Sequence, residues 1–141
     1  MNYRGYIFSR NFNDGTFVDQ SIQNSIIRQG CEKNSLNFKL SATEYGMKDC
    51  FLMLEKTIED LKDKNLDGIA FYTIFQLPEG NLKKRLFKTV LKKKKGIYFA
   101  KQDILVKREK DISELNTLIS LIDVQKNCLK ELKFWEIKLS N

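Results

Sequence analysis

The chain contains no histidine, which removes the commonest general base and leaves any proton transfer to carboxylates, lysine, tyrosine, serine or cysteine. In the segment Ser41-Ala42-Thr43-Glu44-Tyr45 a carboxylate stands beside a phenol. Glu44 is the candidate base, Tyr45 the candidate acid, and Ser41 a hydroxyl that could bind substrate. Ser9 and Arg10 form a second pair: a hydroxyl able to act as nucleophile next to a planar, permanently charged fork that suits phosphate or carboxylate. Gln20, Gln23, Asn24 and Arg28 recur at helical spacing and put amides and a guanidinium on one helix face, dense in hydrogen-bonding groups near a helix N-terminus that favours anions. Each group also has an ordinary reading, as a solvated strand end, a solvated helix face or a polar loop.

Composition closes several chemistries. Cys31, Cys50 and Cys128 follow no zinc-ligand spacing and are odd in number, which fits reduced thiols; no metal and no cofactor is expected. No run approaches the ~20 apolar residues of a membrane span, and the first residues lack a signal-peptide core, so a cytoplasmic protein is expected. The net charge is +7, yet the stretch from Gly80 to Lys95 alone carries eight lysines and arginines and no acid. Taking those eight from the total leaves −1 on the rest, so basicity is a local feature. Aromatic residues are scarce among these cations, and nucleic acid is not the expected partner.

The elements that position these groups follow from periodicity. Tyr3 to Ser9 reads as a first strand, and Val18 to Lys33 as a helix with Val18, Ile22, Ile26 and Cys31 on its apolar side. Leu36 to Leu40 reads as a second strand, followed by a polar loop and a helix capped by Asp49 and faced by Phe51, Leu54, Ile58 and Leu61. The almost continuous apolar run Ile69 to Phe75 is a central strand, ended by the single proline, Pro78. A basic helix over Asn81 to Lys94 is stopped by Gly96 before a fourth strand, Ile97 to Ala100, and Asp103 to Val106 can add a fifth. From Asp111 to about Leu139 one long helix is expected, unless it breaks near Asp123. Val124, Cys128, Phe134 and Ile137 widen its apolar surface beyond one stripe and predict a homodimer through it.

This alternation predicts a flavodoxin-like three-layer α/β domain over residues 1–107, with a mostly parallel sheet of four or five strands in the order 2-1-3-4, and a helical extension over 108–141. Ligands of such sheets bind beyond the carboxyl ends of the strands, where the order reverses. Ser9, Arg10 and the following loop, Gln76 and its loop, and the start of the first helix should therefore open on one crevice, flanked by Ser41 to Met47.

The order of elements, with Gly5-Tyr6-Ile7-Phe8-Ser9-Arg10 at the end of the first strand, resembles the catalytic domain of serine recombinases of the resolvase and invertase type. That family carries a Tyr-x-Arg-x-Ser pattern whose serine attacks a DNA phosphate. Here Phe8 holds the arginine position and the serine comes one residue early. A later Leu-Asp-Arg-Leu-x-Arg segment of the family reads Ile74-Phe75-Gln76-Leu77-Pro78-Glu79, without arginine, so DNA strand exchange does not carry over. A nearer resemblance is to sporadic carbohydrate cluster proteins. It rests on Arg4-Gly5-Tyr6-Ile7 with Ser9-Arg10, Gln23-Asn24 with Ile27-Arg28 and Cys31, Leu40 to Tyr45 with Met47, Met53-Leu54-Glu55, and Asp67-Gly68-Ile69 with Leu77-Pro78-Glu79. It implies a place in bacterial surface-polysaccharide synthesis, as a small enzyme or a sugar-binding accessory.

The resulting expectation has Arg10 and Arg28 holding the anionic group of a sugar phosphate or nucleotide sugar. Gln23, Asn24, Ser41 and Gln76 would bond the sugar, and Ser9, Glu44 and Tyr45 would do any catalysis. The rival is a DNA-binding or regulatory relative of the recombinases, working through the basic helix and the long one.

Overall fold

The computed structural model describes residues 1–139, without the side chains of Phe134 and of residues 137–139; the apolar roles expected of Phe134 and Ile137 lie outside that description. Residues Met1–Lys107 form one compact unit, and a second begins at Arg108.

In the first unit, β1 (Asn2–Ile7), β2 (Asn37–Thr43), β3 (Gly68–Phe71), β4 (Gly96–Phe99) and β5 (Ile104–Val106) form one sheet in the order β2-β1-β3-β4-β5. All neighbours are parallel except β4 and β5, which form an antiparallel edge. The helices are α1 (Gln20–Lys33), α2 (Leu52–Asp60) and α3 (Asn81–Lys93). Right-handed crossovers place α1 on one face of the sheet and α2 with α3 on the other. The four residues of β3 and the four of β4 are all buried, which explains their unbroken apolar sequence. Tyr6, Phe71 and Phe99 continue the core across three strands as aromatic pairs with centroids 5.5 and 5.4 Å apart.

Four local readings change. β2 runs on to Thr43 because a bulge lies opposite Gly5: Arg4 pairs with Lys39 while Tyr6 pairs with Ala42. A Cβ at Gly5 would overlap the Ser41 hydroxyl, so glycine is what admits the bulged strand. β3 stops at Phe71, and Ile74–Gln76 is a 3-10 turn closed by a capping box between Thr73 and Gln76. The chain leaves α3 at Lys94, which adopts the left-handed conformation at φ 55°, while Gly96 already belongs to β4. Asp49 does not cap α2; Phe51 holds that position and offers no side-chain bond.

In the second unit, α4 runs from Glu109 to Leu139 without a break at Asp123. Its 31 residues span about 46 Å at the usual rise. Leu121, Val124, Leu129, Leu132 and Trp135 are each more than half exposed.

Candidate functional site

The aromatic end of β1 decides where polar groups can stand. Phe8 and Phe12 are buried, and the Phe12 ring lies 5.5 Å from both Phe8 and Tyr72. This apolar plug closes the sheet and leaves the loops after β1, β2 and β3 to form its rim. A hollow of about 490 Å³ opens there, a size that suits a small organic ligand. Arg10, Asn11 and Asn13 line it from the loop after β1, Gly46, Lys48, Asp49 and Phe51 from the segment before α2, and Gln76 from the turn after β3. Arg10 and Gln76 thus share one cavity at the carboxyl ends of β1 and β3.

Arg10 is held firmly. Its guanidinium carbon sits 4.3 Å from the centre of the Phe8 ring and 4.7 Å from that of Phe51, a cation between two aromatic faces. Nη1 donates to the carbonyls of Cys50 at 2.6 Å, Met47 at 2.8 Å and Tyr45 at 3.4 Å. The Nε and Nη2 donors meet no acceptor among the described residues, which leaves an N–H edge for an anion. The same contacts make Arg10 the pin that holds residues 45–50.

Gln76 is buried. Its Oε1 accepts from the backbone N–H groups of Tyr72 at 2.7 Å and Thr73 at 3.1 Å, and Nε2 donates to the Tyr6 carbonyl and to Gln23 Oε1, both at 3.4 Å. Gln23, fully buried, donates to the carbonyls of Phe8 at 2.9 Å and Val18 at 2.7 Å and accepts from the Phe8 N–H at 3.3 Å. These two amides satisfy the backbone that β1 exposes where its ladder ends, as buried backbone groups require.

Glu44 is buried behind the hollow. Its carboxylate accepts from the Tyr6 hydroxyl at 2.8 Å, from the N–H groups of Met53 and Leu54 at 3.1 Å, and from the Tyr45 N–H at 3.2 Å. Those of Met53 and Leu54 are free donors of the first turn of α2, so a residue from the end of β2 supplies the cap and the negative charge that Phe51 cannot. Burial, then the bond to Glu44, pushes the Tyr6 phenol far above its usual range.

The other expected residues stand apart. Ser9 is exposed and is not among the residues lining the hollow. The Tyr45 side chain is 54% exposed, and it is the carbonyl of Tyr45 that meets Arg10. Asn24 accepts from the Ser41 hydroxyl at 2.6 Å, which ties α1 to the bulge of β2, and Arg28 lies over the Phe38 ring at 5.4 Å. Cys31 is buried, and burial pushes its thiol up to about 11. Cys50 is half-buried and lies just before α2.

Sequence reasoning placed the loop after Arg10 on the crevice without singling out Asn11 and Asn13, and it missed Lys48 and Asp49 as lining residues. Asn13 donates to the Leu77 carbonyl at 2.9 Å and its N–H to that of Phe75 at 2.9 Å, so the loop after β1 is clasped to the turn after β3. The spacing Asn11-x-Asn13 beside a switch point was the available signal. Among the described residues no group of three or more histidine, cysteine, aspartate or glutamate side chains could hold a metal ion, and no helix is long and apolar enough to cross a membrane.

No protein-family model and no curated protein matches the sequence. The fold is similar to that of solved recombinase structures. The N-terminal catalytic domain of TP901-1 integrase superposes with a TM-score of 0.62 at 15% identity, over 91% of this chain and 98% of that one. A resolvase family site-specific recombinase from Streptococcus pneumoniae gives 0.56 at 11% identity, over 93% and 99%. The α/β architecture, with its β2-β1-β3-β4-β5 sheet and long last helix, is therefore that of resolvase-type catalytic domains.

Proposed function

We propose that this chain is a resolvase-fold protein that binds a phosphorylated or nucleotide-linked sugar in the hollow between β1, β3 and the segment before α2. The observation that carries the reading is the Arg10 guanidinium, fixed between two rings with one edge bonded to the loop and the other unbonded beside a cavity of about 490 Å³. Its free edge takes the phosphate, Lys48 adds charge, and Asn11 and Asn13 bond hydroxyls. Gln23, Gln76 and Glu44 position the walls, while Asn24, Arg28 and Ser41 support the α1 side. The likeness to carbohydrate cluster proteins supports the sugar part of this reading. Binding does not require turnover, and no reaction is assigned.

Titration calorimetry with a hexose 1-phosphate and a uridine diphosphate sugar tests it. Arg10→Lys keeps the charge and loses the fork, and should weaken binding by at least about tenfold, the effect of losing one charge-assisted bond. Arg10→Ala should also lower stability, because three loop carbonyls lose their donor. Unchanged affinity in Arg10→Lys and in Lys48→Gln would remove the site.

The likeness to recombinase domains favours one second reading, a DNA-binding or regulatory relative. Phe8, buried at the place of the family's arginine, argues against strand exchange. A steep fall of duplex affinity with salt is the mark of this reading; no gel shift at low salt would eliminate it. In either case the exposed apolar residues of α4 are suited to a second copy of the chain, and Leu121→Gln with Leu132→Gln should then halve the mass measured by light scattering.

A further inference from the structure

The net positive charge of the chain resides in a feature that the hollow does not use. Between α3 and the turn that follows α2 lies a groove of about 370 Å³, lined by Lys62, Arg85, Lys88, Thr89, Lys92 and Lys93. One carboxylate answers these five cations: Glu59 bonds Lys62 at 2.9 Å and also bonds Arg85, and these bonds hold its carboxyl below the ordinary range. Lys88, Lys92 and Lys93 form no ion pair with any of the described residues.

We propose that this groove binds a compact polyphosphate, an anion of two or more linked phosphate groups. Lysines in the last turn of a helix complement its dipole and keep a surface soluble, which accounts for Lys92 and Lys93. It does not account for Lys88 in mid-helix, which forms no ion pair among the described residues, while Arg85 and Lys62, which arrives from beyond α2, converge on the single carboxylate of Glu59. Lys88 and Lys92, both in the groove lining, follow one another at i, i+4 on α3, an arrangement in which like charges destabilise the helix. A bound polyanion reverses the sign of that interaction. The groove is concave and has room for a chain of a few phosphates, whereas a duplex would rest on its rim. The only large apolar side chain of α3 that is exposed is Leu91, at 37%, so the helix has no apolar face to insert into a lipid surface.

Calorimetric titration of the full chain with sodium tripolyphosphate tests the proposal. We expect one site per chain, weakened at least about tenfold in Lys88→Gln/Lys92→Gln. Lys84→Gln/Lys94→Gln removes the same charge from α3 and the residue that ends it without touching the groove lining, and should retain the affinity. Arg10→Lys should retain it as well, which separates this groove from the hollow above β1. The melting temperature, read by circular dichroism, should not fall in either lysine pair, since both relieve repulsion. Equal weakening in the two pairs would reduce the effect to net charge and overturn the proposal. So would monophosphate binding as tightly as tripolyphosphate, or a duplex binding more tightly at equal phosphate concentration.

Discussion

Replacing Glu44 probes the joint on which the site is built. Glu44→Ala leaves the buried Tyr6 hydroxyl and the first-turn N–H groups of Met53 and Leu54 without their acceptor. A buried donor stripped of its partner costs about 1–3 kcal/mol, and loss of a helix cap about 1 kcal/mol. With Tyr6 fully enclosed and the helix end partly open to rearrangement, the loss should reach about 2–4 kcal/mol, a large share of the stability of an ordinary domain. Glu44→Gln keeps one oxygen to accept from the helix but loses the charge facing its dipole, and should cost about 1–2 kcal/mol. Tyr6→Phe removes the donor, and combined with Glu44→Gln should lose less than the sum of the two single changes, because they share one bond. Urea unfolding followed by circular dichroism measures all four proteins, with the slope expected to stay constant. If Glu44→Ala and Glu44→Gln both lie within about 0.5 kcal/mol of the parent, the size of an ordinary surface change, the carboxylate does not cap α2 and the reasoning fails.

Gly5→Ala drives a methyl group into Ser41 and should cost about 1–3 kcal/mol as overpacking, largely recovered in Gly5→Ala/Ser41→Gly; denaturant midpoints decide. Asp103 is held down to about 2, first by the Tyr98 hydroxyl at 2.6 Å, then by Asn34 and Lys33. Its contribution to stability is complete above the unfolded value of 3.8 and is lost as pH falls toward 2. Asp103 stands at φ 54°, a conformation asparagine tolerates, so Asp103→Asn tests the charge alone: its stability gap from the parent should close between pH 5 and pH 2. Cys128 is exposed and Cys31 buried, so a thiol reagent should label Cys128 at once and Cys31 only on unfolding; rapid labelling of Cys31 in the native protein would contradict the packing of α1.

The sheet order was legible because the pattern of the segments leaves few topologies: Ile69–Phe71 and Ile97–Phe99 are apolar enough to demand cover on both faces, and helices separate them. The switch point followed, and with it the common cavity of Arg10 and Gln76. Local sequence could not show that the cap of α2 comes from Glu44, because the bond closes across a loop and the capping position itself holds Phe51. Ser41 to Thr43 looked like loop for the same kind of reason. Their polar side chains are accommodated by a bulge that exists only because glycine stands at position 5 of the neighbouring strand. In the hollow the residue types that do chemistry were visible, but their partners were not. Gln23 and Gln76 are bound to backbone and to each other, a use that no spacing in the chain reveals.

A phosphorylated ligand held by Arg10 at the carboxyl ends of β1 and β3 must perturb the backbone around it. Backbone amide shifts, followed by nuclear magnetic resonance during titration with a uridine diphosphate sugar, test it most directly. Saturable changes are expected at Arg10, Asn11, Asn13, Gly46, Lys48 and Asp49, and they should vanish in Arg10→Lys. Changes absent there, or confined to α3 and α4, would contradict it.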